Sequence, residues 1–243
     1  MTTTAAIRVN DILNRVAVEC GLEAVQDPYG SPTQHFKQMK YLLQSAGEQL
    51  CLAYPWEFLV RKFEVTTVAG TNSYDLPPDF QSFIDQSGWN NTTEEPLIGP
   101  LSSQEWNAVL GRSNENLMRY AFRIFGSTFQ IFPNPPADGM DLTMEYQSRY
   151  FSSTAGVPVV YLPSFTSGTD IILFDRTLIT RMLKVMWLDA KGFDISAAQA
   201  GLNQVFGTLT GKDKGGRVLD AGGNYGGIRY ITGANLPISG FGL

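Results

Sequence analysis

The carboxylates beside Pro77-Pro78 come closer to a catalytic pattern than any other side chains in this sequence. Asp79 and Asp85 flank the aromatic residues Phe80 and Phe83, and an apolar setting can raise the pKa of a carboxyl group. Two such groups at a suitable separation could hydrolyse a glycosidic bond. An Asp after a Pro-Pro pair is more often a turn or capping residue, so a carboxylate hydrolase acting on peptidoglycan is only our third hypothesis.

Other residues with reactive side chains are few. Glu94 and Glu95 are adjacent in a polar loop without an apolar setting, and His35 is the single histidine of the sequence. Cys20 and Cys51 fall on the apolar faces of predicted helices, so we interpret them as reduced core residues. The sequence contains neither a phosphate-binding glycine loop nor a Gly-x-Ser-x-Gly elbow. We therefore predict no catalytic residue, no cofactor and no metal.

The charge balance argues against a large basic surface for nucleic acid. The net charge is −5 and charged residues make up 17% of the sequence, below the ~25% of ordinary soluble domains. A surface with so few charges is expected either where partner chains cover it or where uncharged polar residues replace the charges. Arg119 and Arg123 alternate with aromatic residues, as a nucleic-acid stacking surface would, although a two-faced strand explains this pattern more simply.

No membrane segment is predicted. The start, Met1-Thr2-Thr3-Thr4, lacks a basic region followed by an apolar stretch, so we expect no signal peptide there. No apolar run approaches the ~20 residues of a membrane span.

Helical periodicity marks both ends of the chain. The first helix is predicted over about residues 4–20, and the second from a Ser31-Pro32 start to Tyr54. The third is predicted from a cap at Asp175 to Gly192, and the fourth starts at Asp194 or Ser196. Because the link between the last two is so short, we expect an antiparallel pair.

The part between these helices has the pattern of strands and turns. Pro77 and Pro78 predict a rigid corner over Tyr74–Phe80 that ends one strand and redirects the chain. A strand is predicted over 62–68 before this corner and another over 83–89 after it. Residues 152–170 are rich in Ser, Gly, Pro and Thr and are expected to be irregular.

Three further elements have clear local signals. Ser102 or Ser103 could cap a short helix through Leu110, with Glu105 in its first turn. The runs 120–125 and 128–132 predict a hairpin around Gly126-Ser127. Residues 142–146 alternate between apolar and polar, as in a half-buried strand.

The predicted fold is therefore α+β. A four-helix bundle formed from both chain ends (1–54 plus 174–212) would carry an inserted β-rich domain (55–173) and an extended, glycine-rich C-terminal tail (213–243). Flexible linkers usually lack spaced apolar residues, so we predict that this tail docks onto another chain, a plain flexible tail being the alternative. The predicted docking residues are Val218, Leu219, Tyr225, Ile228, Tyr230, Ile231, Leu236, Ile238 and Phe241.

The order of these features resembles the head-to-tail adaptor (head-completion) proteins of short-tailed bacteriophages, which lie below the portal ring. The resemblance covers roughly residues 5–210. The stretches that carry it are Pro55-Trp56-Glu57-Phe58, the corner Tyr74-Asp75-Leu76-Pro77-Pro78-Asp79-Phe80, the segment Leu97 to Trp106, the hairpin from Phe122 to Pro135, Leu142-Thr143-Met144-Glu145-Tyr146, and Lys191-Gly192.

The resemblance implies a helical bundle and a β-rich domain that assemble into a ring of twelve copies. Such a ring would bind the portal protein above and tail nozzle or tail fibre proteins below. Genomic DNA would pass through its channel without sequence-specific binding, which suits an acidic chain. No catalytic or cofactor residues come with this resemblance.

We therefore predict a structural connector at the head–tail junction of the virion, assembled in the host cytoplasm and needed for tail assembly and DNA ejection. The tail would dock on the portal. The alternative is a tail-associated module that binds host surface glycan through its β-rich part. Exposed aromatic residues between positions 83 and 132 would favour that alternative.

Overall fold

The computed structural model describes residues 6–111, 119–133 and 139–213. Within these ranges the fold is mixed α and β, with long helices towards both ends and antiparallel strands between them. The helices are α1 (Val9–Glu19), α2 (Gln34–Ala53), a 3-10 turn (Glu57–Leu59), α3 (Ser103–Leu110), α4 (Arg176–Ala190) and α5 (Ser196–Asp213).

The first two helices begin later than predicted. Arg8 is extended and forms a bridge with Ile171, so α1 starts at Val9 rather than near residue 4. The second predicted start, at Ser31-Pro32, is also wrong. The Ser31 hydroxyl accepts a hydrogen bond from the backbone amide two residues later, and such local bonds compete with helix formation.

The predicted caps of the later helices are confirmed. The Asp175 carboxylate accepts hydrogen bonds from the amides of Thr177 and Leu178 at 2.8 and 3.2 Å, which satisfies donors that an α-helix leaves free at its start. Ser102 and Glu105 form a reciprocal capping box at the start of α3. These bonds fix where α3 and α4 begin.

All pairings between named strands are antiparallel. The strands are β1 (Val60–Thr66), β2 (Ser73–Asp75), β3 (Phe80–Phe83), β4 (Trp89–Asn90), β5 (Glu95–Pro96), β6 (Ala121–Phe125), β7 (Thr128–Phe132), β8 (Asp141–Ser148), β9 (Ser152–Ser153), β10 (Tyr161–Leu162) and β11 (Ile171–Ile172). Strand β8 pairs with β1 on one edge and with β3 and β4 on the other. The β6–β7 hairpin pairs with β2, and β9 lies between β10 and β11.

The proline corner lies between two sheets, and the prediction of a corner there is confirmed. Strand β2 pairs with β7, whereas β3 pairs with β8, so the corner transfers the chain from one sheet to the other. The single strand predicted over 83–89 is wrong. Phe83 pairs with Tyr146 and Trp89 with Thr143, and the excess residues between them form a turn. Residues 152–170 are not wholly irregular, because β9 and β10 lie within them.

Two hydrophobic clusters hold the described elements. Residues of α1, α2, α4 and α5 share one cluster with Trp56 and Phe151, and α4 packs against the other three helices. The second cluster lies between the sheets and includes Phe129 and Met144. The thiol of Cys51 is buried in the helical cluster, as predicted, whereas Cys20 packs at its margin, and both cysteines are free.

Candidate interaction surfaces

The Asp79 carboxylate is buried at the proline corner and is bound by three side chains. Arg61 lies 2.8 Å from Oδ2, the Tyr146 hydroxyl donates to Oδ1 at 2.9 Å, and the Ser148 hydroxyl donates to Oδ2 at 2.6 Å. These contacts join β1, the corner and β8. The geometry is that of a structural junction, in which each oxygen of the carboxylate already accepts a hydrogen bond.

The environment of Tyr146 reflects the same junction. Burial, and after it the hydrogen bond and negative charge of Asp79, raise the pKa of Tyr146 to about 12. The hydroxyl therefore keeps its proton and serves as a donor throughout the physiological range.

The other candidates for chemistry lie apart from this junction. Asp85 is exposed in the turn after β3, so it does not share the buried setting of Asp79. Glu94 is exposed and Glu95 lies in β5. His35 is in the first turn of α2, with its ring next to that of Phe36 at 4.5 Å between centroids.

The described residues (6–111, 119–133 and 139–213) contain neither a group of metal ligands nor a membrane-spanning helix. Nowhere in these ranges do three or more His, Cys, Asp or Glu side chains group as a metal site requires. None of the helices that the structure describes has both the length and the apolar character needed to cross a bilayer.

Arg123 binds side chains of its own fold. Its guanidinium lies 4.7 Å from the Trp106 ring and 4.8 Å from the Phe125 ring, and its Nε donates to Gln130 at 2.8 Å. Arg119 is exposed. The contacts of Arg123 favour the simpler explanation of the alternating pattern, a strand with two faces, over a nucleic-acid stacking surface.

The loop of residues 157–161 exposes a continuous run of apolar side chains. Val157 is 98% exposed and Val159 is 55% exposed. Tyr161, at the end of the loop, is covered on one side by the Arg61 guanidinium, 3.6 Å from the ring centroid. This surface was not predicted, because the Ser, Gly, Pro and Thr content of residues 152–170 indicated only an irregular segment. The apolar run Val-Pro-Val-Val-Tyr within it is the signal that could have indicated the surface. Exposed apolar patches of this kind often mark contacts with other proteins.

A second apolar surface is a groove of about 430 Å³ at the C-terminal end of α5. Its apolar lining includes Trp56, Phe58, Leu178 and Leu209. The Phe58 ring is 44% exposed, although it packs edge-on against the buried Phe174 at 5.4 Å. Sequence reasoning did not identify this groove, because its walls come from distant parts of the chain.

The predicted portal-docking residues lie outside the described residues. All nine, from Val218 to Phe241, follow Asp213, the last residue described. Their assignment therefore stays a prediction.

The family comparison covers most of the chain. Residues 7–219 match the model of a protein family described as SU10 adaptor protein. The chain belongs to this family. A search of curated proteins found no match.

Membership of the SU10 adaptor family confirms the predicted resemblance to phage head-to-tail adaptors. It supports a structural adaptor role in a phage, contact with other head or tail proteins, and a place in the virion. The match includes the capped helices, the proline corner and the Asp79 junction. It ends at Leu219, so most of the glycine-rich tail lies beyond the matched region.

Proposed function

We propose that this chain is a structural head-to-tail adaptor that forms a ring between the portal and the tail or nozzle of a phage virion. The observation that carries the proposal is the match to an adaptor family across residues 7–219. The chain performs no catalytic step of its own, and its partners are copies of itself, the portal protein, and nozzle or tail fibre proteins.

In the proposed assembly, helices from both chain ends form one four-helix domain with the strands inserted between them. The shared helical cluster supports this division. The ring contains twelve copies and leaves an axial channel for genomic DNA. The net charge of −5 suits such a channel, because acidic walls do not bind the sliding phosphate backbone.

We assign two surfaces to this assembly. The apolar loop 157–161 is buried between protein components of the head–tail junction. Burial of so exposed an apolar run against another protein is more favourable than its exposure to water. The glycine-rich tail binds the portal through the nine apolar residues predicted for docking, from Val218 to Phe241, as an extended segment docking on a folded partner.

Mixing the purified chain with purified portal protein tests the proposal directly. We expect a stable complex whose mass corresponds to two stacked rings, and a negative-stain image with the adaptor on one face of the portal. A chain that stays monomeric beside the portal and every tail component would contradict the proposal.

The glycan-binding alternative has one observation in its favour. Trp89 and Phe125, both between positions 83 and 132, are 40% and 61% exposed, and exposed aromatic rings can stack on sugars. If this alternative holds, the chain binds host surface glycan and the double variant Trp89→Ala/Phe125→Ala does not. A chain that binds the portal but no glycan would exclude the alternative.

A further inference from the structure

The groove at the end of α5 lies where the chain leaves its described part. Lys212 and Asp213 form part of the groove wall. Asp213 is held there, because its Oδ2 accepts a hydrogen bond from the Glu57 amide at 2.8 Å. The hydroxyl of Tyr54 also donates to the Thr210 carbonyl oxygen at 3.3 Å. The next residues of the chain therefore start at the edge of an open apolar groove.

The sequence that follows is suited to turning back into this groove. Gly215 and Gly216 come first, and glycine adopts the left-handed conformation that commonly reverses a chain after a helix. Val218 and Leu219 come next. Val218 is five residues beyond Asp213, so the intervening chain can span up to about 17 Å.

Charge and apolar surface both agree with this occupant. The accessible apolar surface of the groove comes from Phe58 and from the half-buried side chains of Leu173 and Leu209, with Trp56 and Leu178 buried beneath them. In the described part of the chain, its edge carries the carboxylates of Asp175 and Asp213 beside the single ammonium group of Lys212, so acidic groups are in excess there. The segment of residues 214–219 has the complementary pattern, with Lys214 and Arg217 preceding its two aliphatic residues.

The extent of the family match gives an independent argument. The match continues six residues past the end of α5 and stops at Leu219. Residues 214–219 thus belong to the matched part of the chain, whereas residues 220–243 lie beyond the match. A segment that packs on its own fold is expected to be included in such a match.

We infer that the segment 214–219 binds the groove at the end of α5 in its own chain, with Val218 and Leu219 packed against Phe58 and Leu209. This contact goes beyond the proposed adaptor function. It reassigns the first two of the predicted portal-docking residues to the chain's own surface. It also sets the point at which the remaining docking residues, from Tyr225 onward, leave the folded part.

Disulfide trapping in the full-length chain tests this contact. In a Cys20→Ser/Cys51→Ala background, Phe58→Cys and Val218→Cys are introduced together, and the position of the bond is read by peptide mapping after mild oxidation. We expect a bond within one chain. The matched control pairs Phe58→Cys with Ile238→Cys, for which we expect at least tenfold less bond formation. Equal trapping at the two positions, or a bond that joins two chains, would overturn the inference.

Hydrogen exchange provides a second measurement that leaves Phe58 in place. We expect the double variant Val218→Asp/Leu219→Asp to exchange the amides of residues 57–59 roughly tenfold faster, because the groove loses its apolar cover. The matched variant Leu236→Asp/Ile238→Asp should leave this exchange unchanged. Unchanged exchange in both variants would refute the contact, and neither measurement needs the portal, so the adaptor proposal is tested separately.

Discussion

Asp79 joins parts of the chain that are far apart in sequence. Changing it to Ala would remove its contacts with Arg61, Tyr146 and Ser148 and leave the Arg61 charge without its partner. We expect the free energy of unfolding to fall by roughly 2–4 kcal/mol, somewhat below the cost of breaking a fully buried pair because Arg61 is partly exposed. Urea unfolding measures this change.

Asp85→Ala is the matched control, since Asp85 is exposed in the following turn. We expect it to change stability by less than about 0.5 kcal/mol. Equal effects of the two substitutions would show that the junction does not stabilise the fold. Peptidoglycan cleavage that both substitutions abolish would revive the hydrolase hypothesis.

Tyr146 predicts an alkaline limit to stability. Its pKa is raised to about 12 in the folded chain, against about 10 for an unperturbed tyrosine. The folded state therefore binds the proton more tightly than the unfolded state does. The resulting stabilisation is complete below pH 10 and is lost as the pH rises towards 12.

Tyr146→Phe isolates this contribution, because other groups such as Cys51, whose pKa burial also raises to about 12, titrate equally in both proteins. We expect the variant to be less stable at pH 8, since it lacks the hydrogen bond to Asp79. Its stability should then fall less steeply than that of the unchanged protein between pH 10 and 11.5. Parallel curves from urea unfolding at each pH would disprove the assignment.

Replacing a glycine by alanine should have opposite effects on stability at two helical positions, Gly47 and Gly207. A Cβ added to Gly47 in α2 would collide with the ring of Phe151, which is fully buried. Gly47→Ala should therefore lower the free energy of unfolding by roughly 1–3 kcal/mol.

A Cβ added to Gly207 in α5 meets nothing within 4 Å. Gly207→Ala should raise stability by about 0.5–1 kcal/mol, because alanine favours the helix. Thermal unfolding of both variants checks these opposite effects. Equal shifts of the two unfolding temperatures in the same direction would contradict the prediction.

Local signals predicted some elements well. The Ser102–Glu105 capping box, the Asp175 cap and the Gly126-Ser127 hairpin each depend on residues close in sequence, and all three are present. The break between β3 and β4 could not be found in this way, because it depends on how both strands pair with β8. The Asp79 junction was missed for the same reason, since its partners lie 18 to 69 residues away.

The exposed loop 157–161 belongs to the scale of the whole assembly. Val157→Asp/Val159→Asp should leave the fold intact, because both side chains lie largely in solvent. If the loop is buried between protein components of the head–tail junction, the two introduced Asp carboxylates would be buried without partners and should prevent assembly with the portal. Val68→Asp is the matched control, since Val68 is also 53% exposed but lies in another loop. A complex of the loop variant with the portal, of the same mass as that of the unchanged protein, would exclude this surface.

Two truncations separate the proposed roles of the tail. Deleting residues 215–243 should leave a folded protein that no longer joins DNA-filled heads, because every predicted portal-docking residue is removed. Deleting only 221–243 retains Val218 and Leu219 but removes the docking residues from Tyr225 onward, so this protein should also fail to join heads. It should, however, match the full-length chain in thermal stability, whereas the longer deletion should unfold at a lower temperature because the groove beside Phe58 is uncovered.

Normal attachment of either truncated protein to heads would show that the tail is not the portal-binding element. Equal unfolding temperatures would argue instead against the contact between residues 214–219 and the groove.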